Sequence, residues 1–339
     1  DLRRANGREK AWPVRFWGAG NESWGCGGNM RPECYADQFR RYATYCRNLG
    51  GNKLYRIACG ACDFNYEWTE VLMREAAKNM DGLSLHYYVV PETWEHKGSA
   101  TQFAETGWFA VLKKILLLDG LIAKHSGIMD RYDPEKRVGL IVDEWGAWYD
   151  VEPGTNPGFL YQQSSLRDAL AAGIALNILN NHCERVHMAN IAQTVNVLQA
   201  LILTDGEKMV TTPTYHVFEM YKGHQDALRL PFELDCPPYA FAGESIPAVS
   251  ASASRSEAGI LLSLCNLDPG SGQTITCEIR GMKPARVSGR VLTADAVNRS
   301  NTFDRPDSVK PAAFDGARLQ GDSLQIALPP KSVVNVEIG

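Results

Sequence analysis

Two glutamates stand where strand-like segments run out. Glu144 follows the uncharged run Val138-Gly139-Leu140-Ile141-Val142 and Asp143, and Glu22 follows Val14-Arg15-Phe16-Trp17-Gly18-Ala19-Gly20-Asn21. A carboxyl pair can cleave a glycosidic bond if one member is protonated and assists the leaving oxygen while the other is ionised and attacks the anomeric carbon. For retention of configuration the two should lie about 5–5.5 Å apart, too close to admit a water between them. The Gly, Ala and Trp neighbours of Glu22 hydrate a charge poorly and favour its protonated form. Either glutamate alone reads equally well as one half of a strand-end ion pair.

Such a pair needs a scaffold that brings distant strand ends together. An uncharged strand with no alternation is one covered on both faces, as in a parallel sheet. The design recurs along the chain. A strand ending near Glu22 is followed by a Gly-rich loop and a helical pattern over 32–49, and Gly50-Gly51 closes it. A strand at 53–58 precedes a helix over about 68–80, and a strand at 82–88 precedes a loop with Pro91, Trp94 and His96 and a helix over about 106–126. The strand ending at Glu144 comes fourth, followed by a helix over 159–179, and a fifth lies at 185–190. The stretch 191–203 reads as apolar, helical or irregular, and 213–222 as a last helix. Five strand-helix units imply parallel pairing with right-handed crossovers, a (β/α) barrel portion over 1–227 with its reactive groups on the carboxyl-end rim. From about residue 228, short alternating runs at 260–264, 274–279, 286–291 and 332–338 suggest an antiparallel β-sandwich over 228–339.

Composition narrows the classes. In 339 residues, a 45% apolar share builds a globular core, and a net charge of −4 offers no basic surface for nucleic acid. No apolar run is long enough for a bilayer, and Asp1-Leu2-Arg3-Arg4 does not begin a signal peptide, so the expectation is a cytoplasmic protein without membrane contact. Nine cysteines are too sparse for a disulfide scaffold. Cys59-Gly60-Ala61-Cys62 has the spacing of a metal or redox pair, but no second pair completes it, and packing is the better reading. His182, His187, His216 and His224 lack metal-ligand spacing, so neither metal nor cofactor is expected. Of two N-x-S sequons, at Asn21 and Asn298, a glycan on the first would obstruct the rim.

Taken in order, Phe16-Trp17-Gly18-Ala19-Gly20-Asn21-Glu22, Asp63-Phe64-Asn65-Tyr66-Glu67-Trp68-Thr69, Leu85-His86-Tyr87-Tyr88, Asp143-Glu144-Trp145-Gly146 and His187-Met188-Ala189-Asn190-Ile191-Ala192-Gln193 carry a resemblance. They are similar to the α-L-arabinofuranosidases of glycoside hydrolase family 51, across nearly all of residues 12–224. The last hundred or so residues resemble that family's C-terminal β-sandwich in placement and strand texture. The resemblance implies a retaining, exo-acting hydrolase of terminal α-L-arabinofuranosyl residues in arabinoxylan, arabinan or arabino-oligosaccharides. It makes Glu22 the general acid/base and Glu144 the nucleophile. Asn21 would hold a sugar hydroxyl, His86 and Tyr88 would orient the nucleophile and line the sugar pocket, Gln193 would bind sugar and Trp148 would form an aromatic wall. Asp63, Glu67 and Asp143 read as loop braces.

By the same resemblance the strand before Glu22 is the fourth of eight, so the chain corresponds to barrel strands four to eight plus the sandwich. A partial barrel has open strand edges, which proteins normally cover. The expected partner is therefore a complementary N-terminal half-barrel polypeptide, or a second copy in a homo-oligomer. Two other readings stay open: another retaining glycosidase, a xylosidase or endoglucanase, and a non-catalytic carbohydrate-binding or assembly subunit.

Overall fold

The computed structural model describes residues 1–321 and 323–339. Contacts divide the chain into two compact units, one of Asp1–His86, Leu121–Asp143 and Glu184–Met188, the other of Tyr87–Gly120, Glu144–Cys183 and Ala189–Gly339. Strands β1 (Phe16–Ala19), β2 (Tyr55–Cys62), β3 (Gly82–Val89), β4 (Gly139–Ala147) and β5 (Val186–Ile191) form one five-stranded sheet in the order β1-β2-β3-β4-β5. β1 and β2 pair in parallel, as do β2 and β3. This is the curled parallel sheet of a partial (β/α)8 barrel, the architecture expected from five repeated strand-helix units.

In the first unit, short α1 (Leu2–Ala5) precedes β1, and α2 (Pro32–Ala43) and α3 (Tyr66–Ala76) follow β1 and β2. Helix α2 stops earlier than its sequence suggests. The Thr44 hydroxyl bonds the Arg40 carbonyl at 2.9 Å, and beyond it Tyr45 and Leu49 are each 74% exposed, so no packing draws the helix onward. The β2–β3 register shifts between Ala58 and Ala61, a bulge that brings Cys62 level with His86. Gly60 makes it possible, because a Cβ there would sit 1.6 Å from the Ser84 carbonyl oxygen. Arg185, 2% exposed, ties the start of β5 to Asp130, to the Asp133 carboxylate at 2.8 Å and to the Val138 carbonyl at 2.9 Å. Burial works to raise the Asp133 carboxyl, but bonds from the Val138 amide, Arg185 and Arg137 together hold it below the usual range.

Helix α4 (Glu105–Tyr132) and β4 each contribute residues to both units. The strand does not stop at its carboxylates, as the sequence suggested, but continues through Trp145, Gly146 and Ala147, all buried. In the second unit, α5 (Leu166–Asn181) opens with a capping box between Ser165 and Asp168. It is apolar nearly all round because it is covered nearly all round. Next come a hairpin of β6 (Ile202–Asp205) and β7 (Lys208–Thr211), then α6 (Pro213–Tyr221). Residues 192–201 are irregular, within the reading of that stretch as helical or irregular; the hairpin overlaps it only at Ile202 and Leu203, and its signal is Asp205-Gly206, with Gly206 at φ 58°.

The remaining strands are β8 (Leu228–Arg229), β9 (Pro238–Phe241), β10 (Glu244–Pro247), β11 (Val249–Ser256), β12 (Gly259–Asn266), β13 (Gln273–Glu278), β14 (Val287–Leu292), β15 (Ala312–Ala313), β16 (Ala317–Gln320), β17 (Ser323–Leu328) and β18 (Ser332–Ile338). They build a six-stranded sheet, β15-β14-β18-β12-β11-β8, a three-stranded sheet, β13-β17-β16, and the β9–β10 hairpin, with antiparallel pairing throughout. Asn177 and Asn180 of α5 donate to the Ser250 and Ser252 hydroxyls of β11 at 3.2 Å. Gly173 permits that approach, since a Cβ there would lie 2.6 Å from the Cys265 sulfur. Among the described residues no helix is long and apolar enough to cross a membrane.

Candidate active site

In the first unit the loop after β1 decides where Glu22 points. Gly20 and Glu22 adopt positive φ of 109° and 44°, and the amides of Gly25 and Gly27 both donate to the Glu22 carbonyl, at 2.8 and 3.0 Å. The turn is too tight for a side chain at Gly27, whose Cβ would stand 1.7 Å from the Asn21 carbonyl oxygen. β2 anchors the loop: the Ser23 amide donates to the Cys59 sulfur at 3.3 Å and the Trp24 indole to the Gly60 carbonyl at 3.1 Å. Tyr35 of α2 adds a brace, its hydroxyl donating to the Ala19 carbonyl and accepting from the Cys59 amide at 2.6 Å.

Both oxygens of the Glu22 carboxylate are held. Oε1 lies 2.9 Å from Nδ1 of His86, and Oε2 accepts from the Cys26 thiol at 3.2 Å. His86, 3% exposed on β3, has its other nitrogen 3.3 Å from Oδ1 of Asp143. The imidazole thus sits between two carboxylates, close to Glu22 and in looser contact with Asp143, whose Oδ1 makes no hydrogen bond. Asp63, in the loop after β2, has its carboxyl raised by burial and one carboxylate oxygen buried without a hydrogen-bond partner. That loop is fixed from behind by His125, whose Nε2 meets the Asp63 carbonyl at 2.8 Å and whose Nδ1 meets the Thr69 hydroxyl at 2.8 Å. Burial pushes His125 below the usual histidine range.

In the second unit the Tyr88 hydroxyl donates to Oε1 of Glu144 at 2.7 Å. The Tyr88 ring meets Trp148 edge-on at 5.0 Å, and Trp94 meets Trp148 in the same way at 5.7 Å. Tyr88, Ala192 and Leu198 form a small buried cluster flanked by Trp148, Leu160 and Val197. Leu160 and Val197 also line a mainly apolar pocket of about 520 Å³ with Phe159, Tyr161 and Asn196.

Among the residues singled out from the sequence, the structure brings Glu22 to His86, and Glu144 to Tyr88 and through it to Trp148. His86 lies against Glu22. Asn21 and Gln193 are exposed on their loops, and Glu67 is exposed in the first turn of α3. Cys26 and Asp143 were not recognised as partners of Glu22 and His86. The one local signal for Cys26 was its position one turn after Glu22 in a Gly-rich loop. Asp143 gave none. Cys59 is buried in a packing role.

Residues 143–332 match the family model of the α-L-arabinofuranosidase C-terminal domain. The chain is 48% identical over 340 residues to an intracellular exo-α-L-arabinofuranosidase of Bacteroides ovatus, a match that takes in 100% of this chain and 66% of that protein. It is 25% identical over 350 residues to an intracellular exo-α-(1→5)-L-arabinofuranosidase of Streptomyces lividans, covering 98% of this chain and 52% of the other. Among solved structures, the GH51 arabinofuranosidase from Xanthomonas axonopodis pv. citri superposes with a TM-score of 0.97 at 52% identity, over 99% of this chain and 69% of that one. The chain spans about half to two thirds of the length of these curated relatives.

Proposed function

Because the chain belongs to glycoside hydrolase family 51, the α-L-arabinofuranosidases, we propose that it is the portion of a retaining exo-α-L-arabinofuranosidase that bears both reactive carboxyl groups. Its substrates are terminal non-reducing α-L-arabinofuranosyl residues of arabinoxylan, arabinan or arabino-oligosaccharides. One observation carries the reading. His86 and Tyr88 are two positions apart on β3 and so share a face, about 7 Å apart along an extended strand, and each bonds one of the two glutamates.

In the proposed cycle Glu144 attacks the anomeric carbon while Glu22 gives its proton to the leaving oxygen. A glycosyl-enzyme ester forms and the aglycone departs. Glu22, now ionised, takes a proton from water, which attacks the same carbon and releases Glu144 and arabinose with the configuration retained. Tyr88 stabilises the ionised nucleophile before attack and after release, and His86, steadied by Asp143, holds the acid/base. Trp148 and the apolar pocket beside it supply the wall against which a furanose packs, with Asn21 and Gln193 reaching sugar hydroxyls from the rim. Hydrolysis of an aryl α-L-arabinofuranoside, followed by NMR for the anomer first released, tests this. Turnover by wild type with loss in Glu144→Ala is expected, and equal turnover by both removes Glu144 from the mechanism.

The proposal extends to partners and setting. On β1, Phe16 and Trp17 are 47% and 51% exposed, and Trp12 and Val14 just before it are 67% and 49% exposed. An edge strand with such side chains favours pairing with a complementary half-barrel polypeptide or a second copy. Native mass spectrometry of the purified protein decides between them. The barrel portion is assigned to 1–227 and the sandwich to 228–339. The intracellular relatives support a cytoplasmic setting.

A further inference from the structure

A cavity of about 290 Å³ lies in the second unit, beneath the loop that joins β3 to α4. Gln102, Phe103, Thr106, Gly107 and Arg167 are among its walls. Arg167 is 0% exposed, and two of its nitrogens, Nε and Nη1, are buried without a hydrogen-bond partner. Nη2 donates to the Ser99 and Ala100 carbonyls at 3.1 and 3.4 Å, and the guanidinium also lies within reach of the Tyr149 hydroxyl. The guanidinium is fixed by the rings of Phe103 and Tyr149, 3.6 and 4.1 Å from its carbon. Nη1 is directed at the first turn of α4, only 3.3 Å from where a Cβ on Gly107 would stand.

Burial raises the Asp168 carboxyl and the neighbouring Arg167 charge is the main influence opposing it, but the printed hydrogen bonds of the nearby carboxylates go to other groups. Asp168 accepts from the Tyr149 hydroxyl and from the amide and hydroxyl of Ser165. Glu105 accepts from the Tyr239 hydroxyl at 2.7 Å, and Asp150 from the amides of Lys97 and Gly98. Glu92 also lines the cavity, and its Oε1 lies beside Gly98. A buried cation with unmet donors is costly unless something accepts from it. The same cavity is bordered by the opening turn of a long helix, where the Gly107 amide already donates to the Ala104 carbonyl at 3.0 Å, but the Glu105 and Thr106 amides precede the first helical bond and the backbone dipole favours negative charge. A water takes up about 30 Å³ of liquid, so the space admits a small oxyanion with part of its hydration.

We propose that this cavity binds a small oxyanion, a phosphate or a carboxylate, between Arg167 and the first turn of α4. Bound there, the anion accepts from Nη1 and from the helix amides and braces the loop over 91–104. That loop carries Trp94 against Trp148, and Lys97 with its ammonium 5.7 Å from the centre of the Trp148 ring. The site does not depend on the hydrolytic reading.

Thermal unfolding and titration calorimetry of the full protein at constant ionic strength test the proposal, with inorganic phosphate in one arm and glucuronate in the other, against chloride. Either oxyanion should raise the melting temperature saturably, and the responding arm tells a free phosphate from a sugar carboxylate. Thr106→Glu, at an exposed position, adds one like charge at the helix end and should weaken the binding about tenfold or more. Arg167→Met should abolish it, and if that variant does not fold, Thr106→Glu remains decisive. No saturable response to either anion overturns the proposal, as does equal affinity in wild type and Thr106→Glu.

Discussion

Replacing Tyr88 by Phe removes one oxygen and little else. The ring keeps its edge-on contact with Trp148 and its place beside Ala192 and Leu198, while Oε1 of Glu144 loses a donor at 2.7 Å. A hydrogen bond to a charged group is worth about 1.5–3 kcal/mol. At 1.36 kcal/mol per decade that is roughly ten- to hundredfold in a rate. The step on which it falls follows from where charge develops. In the first step of the proposed cycle Glu144 spends its charge in forming the ester, so the bond stabilises the starting state at least as much as the transition state. In the second step charge returns to Glu144 as the ester breaks, and the Tyr88 hydroxyl strengthens its bond as it does so. Tyr88→Phe should therefore slow deglycosylation. With an aryl arabinofuranoside bearing a good leaving group, kcat and KM should fall together by roughly ten- to hundredfold while kcat/KM changes far less. Stopped-flow should show a burst of aryl alcohol equal to the enzyme concentration. An unchanged kcat with a raised KM would refute the reasoning, because the hydroxyl would then serve ground-state binding.

Three further outcomes follow from other parts of the molecule. Alkylation of exposed Cys26 by iodoacetamide should abolish the proposed arabinofuranosidase activity by crowding Glu22, and Cys26→Ala should keep it through the same treatment; equal inactivation of both would place the sensitive thiol elsewhere. Arg185→Met strands the buried Asp133 carboxylate and should lower stability by about 3–5 kcal/mol, read as a fall in the urea midpoint. Burial between the Ser254 and Ser263 hydroxyls pushes His224 down to about 4. Between pH 6.5 and 4 the unfolded chain then binds a proton that the folded one does not. Stability should fall through that window by up to about 3 kcal/mol as pH is lowered, and His224→Gln should flatten the urea-midpoint profile there.

The amino-acid sequence by itself determined the succession of strands and helices, because periodicity and punctuation are local. An uncharged run such as Val138–Val142 reports a strand covered on both faces whatever covers it, and the short alternating runs after residue 228 report antiparallel strands without their order. It also set Glu22 and Glu144 in contexts whose neighbours are recognisable. Local pattern could not say which side chain meets which. Cys26 reaches Glu22 through a turn closed by two backbone bonds and a glycine, and Asp143 meets His86 only because β3 and β4 are neighbours in the sheet. The bulge at Gly60 sets the level of His86 against β2. Arg167 looks in the sequence like an ordinary helix-start arginine, and only tertiary packing buries it with two donors unmet. Periodicity records that a face is buried, whereas register and long-range packing choose its partner, and the chemistry depends on the partner.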